Sequence, residues 1–320
     1  MSIYSVAMLA GSMAIFALYG WRCAAAQRIP TLRQKAWLTA LLALVFSAVF
    51  GVVLARVSYA LLMQELDFEY DGLAALEQLL WLDIDTMCFF GGAVGVCLGV
   101  LLANRITRKG NVVLGMDAFA PFAALLVALF RLGEGAFGSY GTGTSLPEGS
   151  PLAFFPFALE IKVDGGYSYW GWAIFALSAA FALVWAAVAF FGLRSRGRAG
   201  WSFTLTMFFL ALPQVLCESM RKRGMLWLFV HVEQLLCAIV LVGVLVYWII
   251  GTKGKRSLLS RWAPLAITLV CIGLLVATEF AIDGKLFDLS HTVCYTFMTA
   301  VLLVVGACGV VAAKRWNTEK

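Results

Sequence analysis

Apolar residues run along this chain in blocks of roughly twenty, at 2–21, 37–63, 87–103, 112–130, 169–193, 201–217, 226–250, 262–282 and 293–313, with polar residues gathered between them. A helix rises about 1.5 Å per residue, so blocks of this length cross a hydrocarbon layer of ~30 Å. No water is available inside that layer, and each backbone N–H and C=O must be bonded within its own segment, which selects helices. The pattern predicts an all-α, polytopic integral membrane protein with about nine transmembrane helices. The first block is followed, not preceded, by basic residues (Arg22, Arg28). That is the reverse of a cleavable signal peptide, and the segment is expected to remain as a helix.

Composition narrows the class further. Of 320 residues, 62% are hydrophobic and 13% charged, about half the charged share of an ordinary soluble domain. Too little polar surface exists to cover a water-soluble fold. The net charge of +6 matters less than its placement. Arg22, Arg28, Arg33 and Lys35 follow the first block; an acidic segment with Glu65, Asp67, Glu69, Asp71, Glu77, Asp83 and Asp85 follows the second; Arg105, Arg108 and Lys109 follow the third. Further basic groups sit at 194–198, 253–261 and 314–320. Positive loops belong in the cytoplasm. The expected topology has the N-terminus outside and the C-terminus cytoplasmic, and nucleic acid is not an expected partner.

The basic residues that break this order are the informative ones. Arg221, Lys222 and Arg223 cluster on the side that the topology makes external, where each cation near an anionic lipid surface gains on the order of 1 kcal/mol. Arg56 and Arg131 lie within or at the edge of apolar blocks, and an intramembrane arginine is a functional candidate. Arg56 and Tyr59 share a helix face, Asp117 and Arg131 lie near one face at opposite ends of a helix, and Glu218 can pair with Arg221 at i+3. The outer segment 132–168 opens with Gly133, Gly135, Gly138, Gly141 and Gly143. Glycines in that density beside an arginine at a helix end suggest a loop wrapping a head group.

The eight cysteines are scattered with no CxxC spacing and are expected to be small hydrophobes. His231 and His291 are the only histidines. No nucleotide-binding, HExxH or Gly-x-Ser-x-Gly motif is present, so neither a metal nor a cofactor is expected.

Four segments over residues 1–251 together resemble the prolipoprotein diacylglyceryl transferases, integral membrane enzymes that begin bacterial lipoprotein maturation. These are Tyr4 to Gly11, similar to the family's opening helix; Gly51 to Tyr59, similar to its Gly-x-Arg-x-x-Tyr stretch; Gly91-Gly92 through Arg105, Asp117 to Pro121 and Arg131-Leu132-Gly133; and Glu218 to Arg221 with Gln234 downstream. The sequence departs from the family pattern where Phe90 replaces a histidine, Glu134 an asparagine and Ser139 a glutamate, and where Tyr167 to Trp170 stand in place of a His-Pro-Ser-Gln stretch.

The resemblance implies a seven-helix transferase-like domain at 1–251 with the outer loop 132–168, and a two-helix membrane extension at 252–320. It implies transfer of a diacylglyceryl group from phosphatidylglycerol to the lipobox cysteine of a prolipoprotein, in the bacterial cytoplasmic (inner) membrane. Arg131 and Arg221 suit the phosphate because guanidinium grips it through two hydrogen bonds. A base is needed for the thiol, whose free pKa is about 8.5; Glu134 and His231 are the two candidates. Tyr4, Arg56, Tyr59, Gly91, Gly92, Asp117, Gly133, Glu218 and Gln234 are the expected substrate contacts. The alternatives are a non-catalytic relative that binds anionic lipid or a lipoprotein precursor, and a transferase with another acceptor. A small-molecule transporter ranks behind both, since no internal repeat is evident.

Overall fold

A computed structural model describes residues 3–62, 87–107, 112–135, 141–163, 167–193, 197–222, 226–227, 230–252, 258–284, 286 and 289–318. The acidic segment after the second block, Ser139 and Arg223 therefore lie outside the described residues, as does the side chain of Tyr4. Among the described residues there are nine helices: α1 (Ile3–Ala25), α2 (Pro30–Leu62), α3 (Phe89–Thr107), α4 (Val112–Glu134), α5 (Ile174–Ala187), α6 (Trp201–Ser219), α7 (Val232–Gly251), α8 (Leu258–Ile282) and α9 (His291–Thr318). A π-helical turn, Val188–Gly192, prolongs α5. All nine, α5 counted with that turn, are long and apolar enough, among the described residues, to cross a membrane by length and composition. The protein is a polytopic, predominantly helical membrane protein.

Two stretches of the expected helices are strand instead. β1 (Ala158–Val163) pairs antiparallel with β2 (Tyr167–Trp172), with Ile161 opposite Tyr169. The block at 169–193 therefore begins as strand, and its helix starts only at Ile174. Likewise the block at 226–250 opens with a short hairpin, β3 (Leu226–Trp227) on β4 (Val230–His231), before α7. Both corrections have one cause. Hydropathy averaged over a long window does not separate an aromatic strand from the apolar helix that follows it.

The chain divides into two compact units, Met1–Val127 and Ala128–Lys320. In the first, α3 packs on α2 through glycines at four-residue spacing. A Cβ on Gly91 would strike the Leu54 carbonyl, one on Gly95 the Phe50 carbonyl and one on Gly99 the backbone of Ser47. Backbones approach this closely in membranes because apolar side chains gain little by leaving lipid, so contact and weak polar bonds must hold helices together. Ser47 Oγ accordingly donates to the Val96 carbonyl at 3.2 Å, and Thr39 Oγ1 to Thr107 Oγ1 at 2.7 Å. Tyr19 and Asn104 meet in a buried polar contact at 3.3 Å, and the Tyr19 ring packs edge-on against Phe119 and Phe122. Gly95→Ala is expected to lower stability by about 1–3 kcal/mol through overpacking. Gly243→Ala, where nothing stands within 4 Å, should leave stability unchanged or raised. Thermal unfolding in detergent distinguishes the two.

In the second unit the core joins α6, α7, α8 and α9 around Phe208, Leu241, Leu245, Trp248, Cys271, Leu275, Met298, Val305 and Trp316. The last two helices thus share one core with α6 and α7 and end within the same compact unit. At one end of these helices, basic side chains close the carboxyl terminus of α7. Arg198 donates to the Gly251 carbonyl at 2.8 Å, and Arg261 reaches the Ile249 carbonyl at 2.8 Å. Guanidinium is favoured there by the unsatisfied carbonyls and the helix dipole. The other end carries the acidic and basic residues described next.

Candidate functional site

Five ionisable side chains of the second unit converge where α4, α6 and α7 end or begin. Arg131 and Glu134 come from the last turn of α4, Glu218 from the last turn of α6, Arg221 from the segment just beyond it, and Glu233 from the first turn of α7. Arg131 Nη1 donates to Glu134 Oε1 at 2.6 Å, and its Nη2 lies 3.1 Å from Glu218 Oε1 and 3.2 Å from Glu233 Oε2. Arg221 Nη2 reaches Glu134 Oε2 at 3.0 Å, and its Nε lies 3.0 Å from Glu218 Oε2. Glu134 and Glu218 therefore each bridge both arginines. The result is a closed ring of alternating charge, with Glu233 attached to Arg131 from outside it.

Exposure is graded around the ring. The side chains of Arg131 and Glu218 are 2% and 3% exposed, that of Arg221 7%, and that of Glu134 21%. Glu134 is the member that a ligand can reach first. Charges this deep are tolerated only when paired and hydrogen-bonded. Burial opposes the charge on Arg221, yet the fields of Glu218 and Glu134 outweigh it and hold its pKa above the ordinary arginine value.

The glycine loop after α4 holds Arg221 in place. Gly143 pairs with Arg221 as an isolated antiparallel bridge. The Gly143 N–H donates to the Trp172 carbonyl at 2.7 Å, and the Thr144 N–H to the Met220 carbonyl at 3.0 Å. A Cβ on Gly143 would stand 2.6 Å from the Met220 carbonyl oxygen and 2.8 Å from Ile174. Gly135 and Gly141 face the ring of Phe175 just as closely. These three glycines allow close packing of the loop against protein. Gly143→Ala must push the Arg221 backbone aside. Since misplacement of about 1 Å costs on the order of 10²-fold in rate, a loss of that size is expected in any activity that uses Arg221.

His231 immediately precedes α7, with no capping hydrogen bond from its side chain, and is half-buried. Burial pushes its pKa below the ordinary histidine value, against the upward pull of Glu218 and Glu279. Burial thus favours the neutral imidazole over the charged form. Gln234, one turn into α7, is buried and donates through Nε2 to Glu279 Oε1 of α8 at 2.7 Å. Gly133 is buried within the last turn of α4.

The remaining expected contacts belong to the first unit. Arg56 is buried on α2 with its guanidinium 5.7 Å from the centre of the Tyr59 ring, one helical turn away as the spacing predicts. Gly91 is buried against Leu54 and Ser58, Gly92 lies beside Ala55, and Asp117 is half-buried on α4. Phe90 stands at the start of α3. Among the described residues no group of His, Cys, Asp or Glu is arranged to hold a metal ion, and none of the eight cysteines is in a disulfide.

Sequence reasoning missed Glu233 and Glu279. A signal for both was present, because each is a carboxylate inside an apolar block, the same anomaly that singled out Arg56 and Arg131.

Fold and site together define a polytopic membrane protein with a buried arginine–glutamate centre at one end of its second unit. The model of the prolipoprotein diacylglyceryl transferase family matches residues 1–250, so the chain belongs to that family, whose members are transferases of lipoprotein biosynthesis. None of the curated proteins matches the chain by sequence.

Proposed function

We propose that this protein transfers the diacylglyceryl group of phosphatidylglycerol to the lipobox cysteine thiol of a prolipoprotein. The observation that carries the reading is the fork that Arg131 and Arg221 form around Glu134, one carboxylate oxygen on each guanidinium. A phosphate diester presents the same pair of oxygens. The head group displaces the accessible Glu134 carboxylate, while Glu218 and Glu233 keep the guanidiniums aligned.

The reaction then follows from the groups present. His231, neutral and half-buried, takes the thiol proton, and the thiolate attacks the glycerol carbon that bears the phosphate ester. A C–S bond forms, the C–O bond breaks, and its electron pair leaves with glycerol phosphate, whose growing charge the two arginines stabilise. The imidazolium returns its proton to the departing phosphate. Glu134 is the less available base of the two, because both of its oxygens are engaged by arginine.

In this reading the arginine–glutamate end faces the outside of the bacterial inner membrane, with the N-terminus outside and the C-terminus cytoplasmic. Residues 1–251 form the transferase domain and 252–320 its extension. Tyr4, Arg56, Tyr59, Gly91, Gly92, Gly133, Asp117, Glu218 and Gln234 contact or support the substrates. Phe90, in the place of a family histidine, favours a second reading in which the protein binds lipid or precursor without turnover.

Incubation of the purified protein with phosphatidylglycerol and a lipobox-cysteine peptide tests both. Mass spectrometry is expected to detect the diacylglyceryl thioether and free glycerol phosphate. Lipid bound in an Arg221-dependent way without product would replace the transferase reading with the binding one.

A further inference from the structure

The matched family region ends at residue 250, yet α9 lies along the whole length of α6. At the start of α6, Trp201 stacks on Trp316 with ring centres 6.2 Å apart. Further along, a Cβ on Gly309 would strike the Phe208 ring, and one on Gly306 would stand 3.1 Å from Leu212. At the end of α6, Ser219 Oγ donates to Met298 Sδ at 3.6 Å, with both side chains buried. The numbering falls by 18 along α6 from Ser219 to Trp201 and rises by 18 along α9 from Met298 to Trp316. The two helices therefore run antiparallel, side by side and without slippage. Tyr295, one turn before Met298, packs on the cluster of Ile174, Cys217 and Met220.

The end that α9 supports is the one that carries the site. Glu218 lies in the last turn of α6, and Arg221 follows it. The Met220 carbonyl between them accepts from the Thr144 N–H at 3.0 Å, and the Lys222 N–H donates to the Thr142 carbonyl at 3.3 Å. Pro213 stands inside α6, five residues before Glu218. Proline has no N–H, so the bond that would tie residue 213 to the carbonyl of residue 209 is missing. The last turns of α6 are less firmly joined to the rest of the helix and need support from the side. We propose that α9, beyond the matched region, is a splint for this end of α6, in which Met298 and Tyr295 are positioning residues that hold Glu218 and Arg221 in the arginine–glutamate ring. Its consequence for catalysis rests on the reading of Arg221 as a phosphate ligand, whereas the splint itself does not.

Met298→Ala withdraws the support at the end of α6. The first measurement is hydrogen–deuterium exchange in detergent-solubilised full-length protein, read by mass spectrometry on the peptides that carry Thr144 and Lys222. Their amides are expected to exchange about tenfold faster or more in M298A, the mark of local opening. Amides around Leu241, in the core of α7, report global opening and should keep their rates. M298L retains the side-chain volume and should exchange like the parent. So should Leu303→Ala, whose side chain is exposed on the same helix. The second measurement is a double-mutant cycle on transfer. M298A is expected to lower kcat about tenfold in the parent and about twofold or less in R221K, because a residue that acts through Arg221 has little left to misplace once the planar fork is gone. A merely structural loss is the same in both backgrounds.

Unchanged exchange at Thr144 and Lys222 in folded M298A would overturn the proposal, and so would a rise matched around Leu241. Equal kcat losses in the two backgrounds overturn it as well. Should M298A not fold, Y295A takes its place, since Tyr295 is half-buried and packs on the Met220 cluster. Faster exchange confined to Thr144 and Lys222 in that variant supports the proposal, and no change overturns it. Absence of transfer in the parent protein removes the transferase reading alone, and the exchange measurement then decides whether α9 holds the end of α6.

Discussion

Replacing Arg131 with alanine is expected to abolish diacylglyceryl transfer, with a loss of at least about 10³-fold, at the upper end of what removing one preorganised donor to a developing anion costs. Arg131 touches three carboxylates at 2.6, 3.1 and 3.2 Å, and its removal leaves them crowded around Arg221 alone. Breaking a buried pair from one side destabilises by about 3–5 kcal/mol, so R131A should also unfold at lower temperature in detergent. R131K keeps the charge and distinguishes the two effects. A lysine is a point charge without the planar fork, so transfer should still fall by 10²-fold or so, with most of the stability retained. Since Arg131 and Arg221 share Glu134 and Glu218, the losses in R131K and R221K should not add. Full activity in either lysine variant would remove the fork from the mechanism. Quantifying the thioether product alongside the unfolding temperature checks each of these outcomes.

The second large effect is expected in the opposite direction. Glu134→Gln weakens the group that holds the two guanidiniums in the resting ring, and the head group then competes with a neutral amide instead of a carboxylate. A hydrogen bond to a charged partner is worth about 1.5–3 kcal/mol, so phosphatidylglycerol binding should tighten by tenfold or so, with kcat kept within a few-fold. Lipid titration by fluorescence or calorimetry, with kcat and KM from the peptide assay, supplies the test. If kcat instead falls by about 10²-fold or more, the scale of a lost general base, at unchanged lipid affinity, then Glu134 is the base and His231 is not. The structure makes that the less favoured result, because both Glu134 oxygens are already committed to arginine. His231 has no such partner, as its Nδ1 makes no hydrogen bond among the described residues.

Part of this site was legible in one dimension. The spacing of Glu218 and Arg221 identified a pair that the structure contains, at 3.0 Å, because the chain turns once more at the end of α6, with the Arg221 N–H donating to the Glu218 carbonyl at 3.2 Å. Arg56 and Tyr59 meet because residues three apart on a helix share a face. Arg131 stood out because a charge at an apolar helix end is expensive. What stayed hidden was where each long-range partner came from. Glu134 meets Arg221 across 87 positions and Glu233 meets Arg131 across 102. Local spacing carries no information at such separations. The role of Gly143 was hidden similarly, since only the approach of the Met220 carbonyl explains why a side chain is excluded there.

The sequence by itself determined the membrane class, the approximate helix positions and the family. Hydrophobic length against bilayer thickness is a one-dimensional property, and short motifs survive as strings. The tertiary structure alone decided that the two arginines share carboxylates instead of standing open, that the glycine loop clamps Arg221, and that α8 brings Glu279 to Gln234. Each of these depends on which helix ends pack side by side, and packing in a membrane is set by close backbone approach and buried polar pairing between segments far apart in the chain.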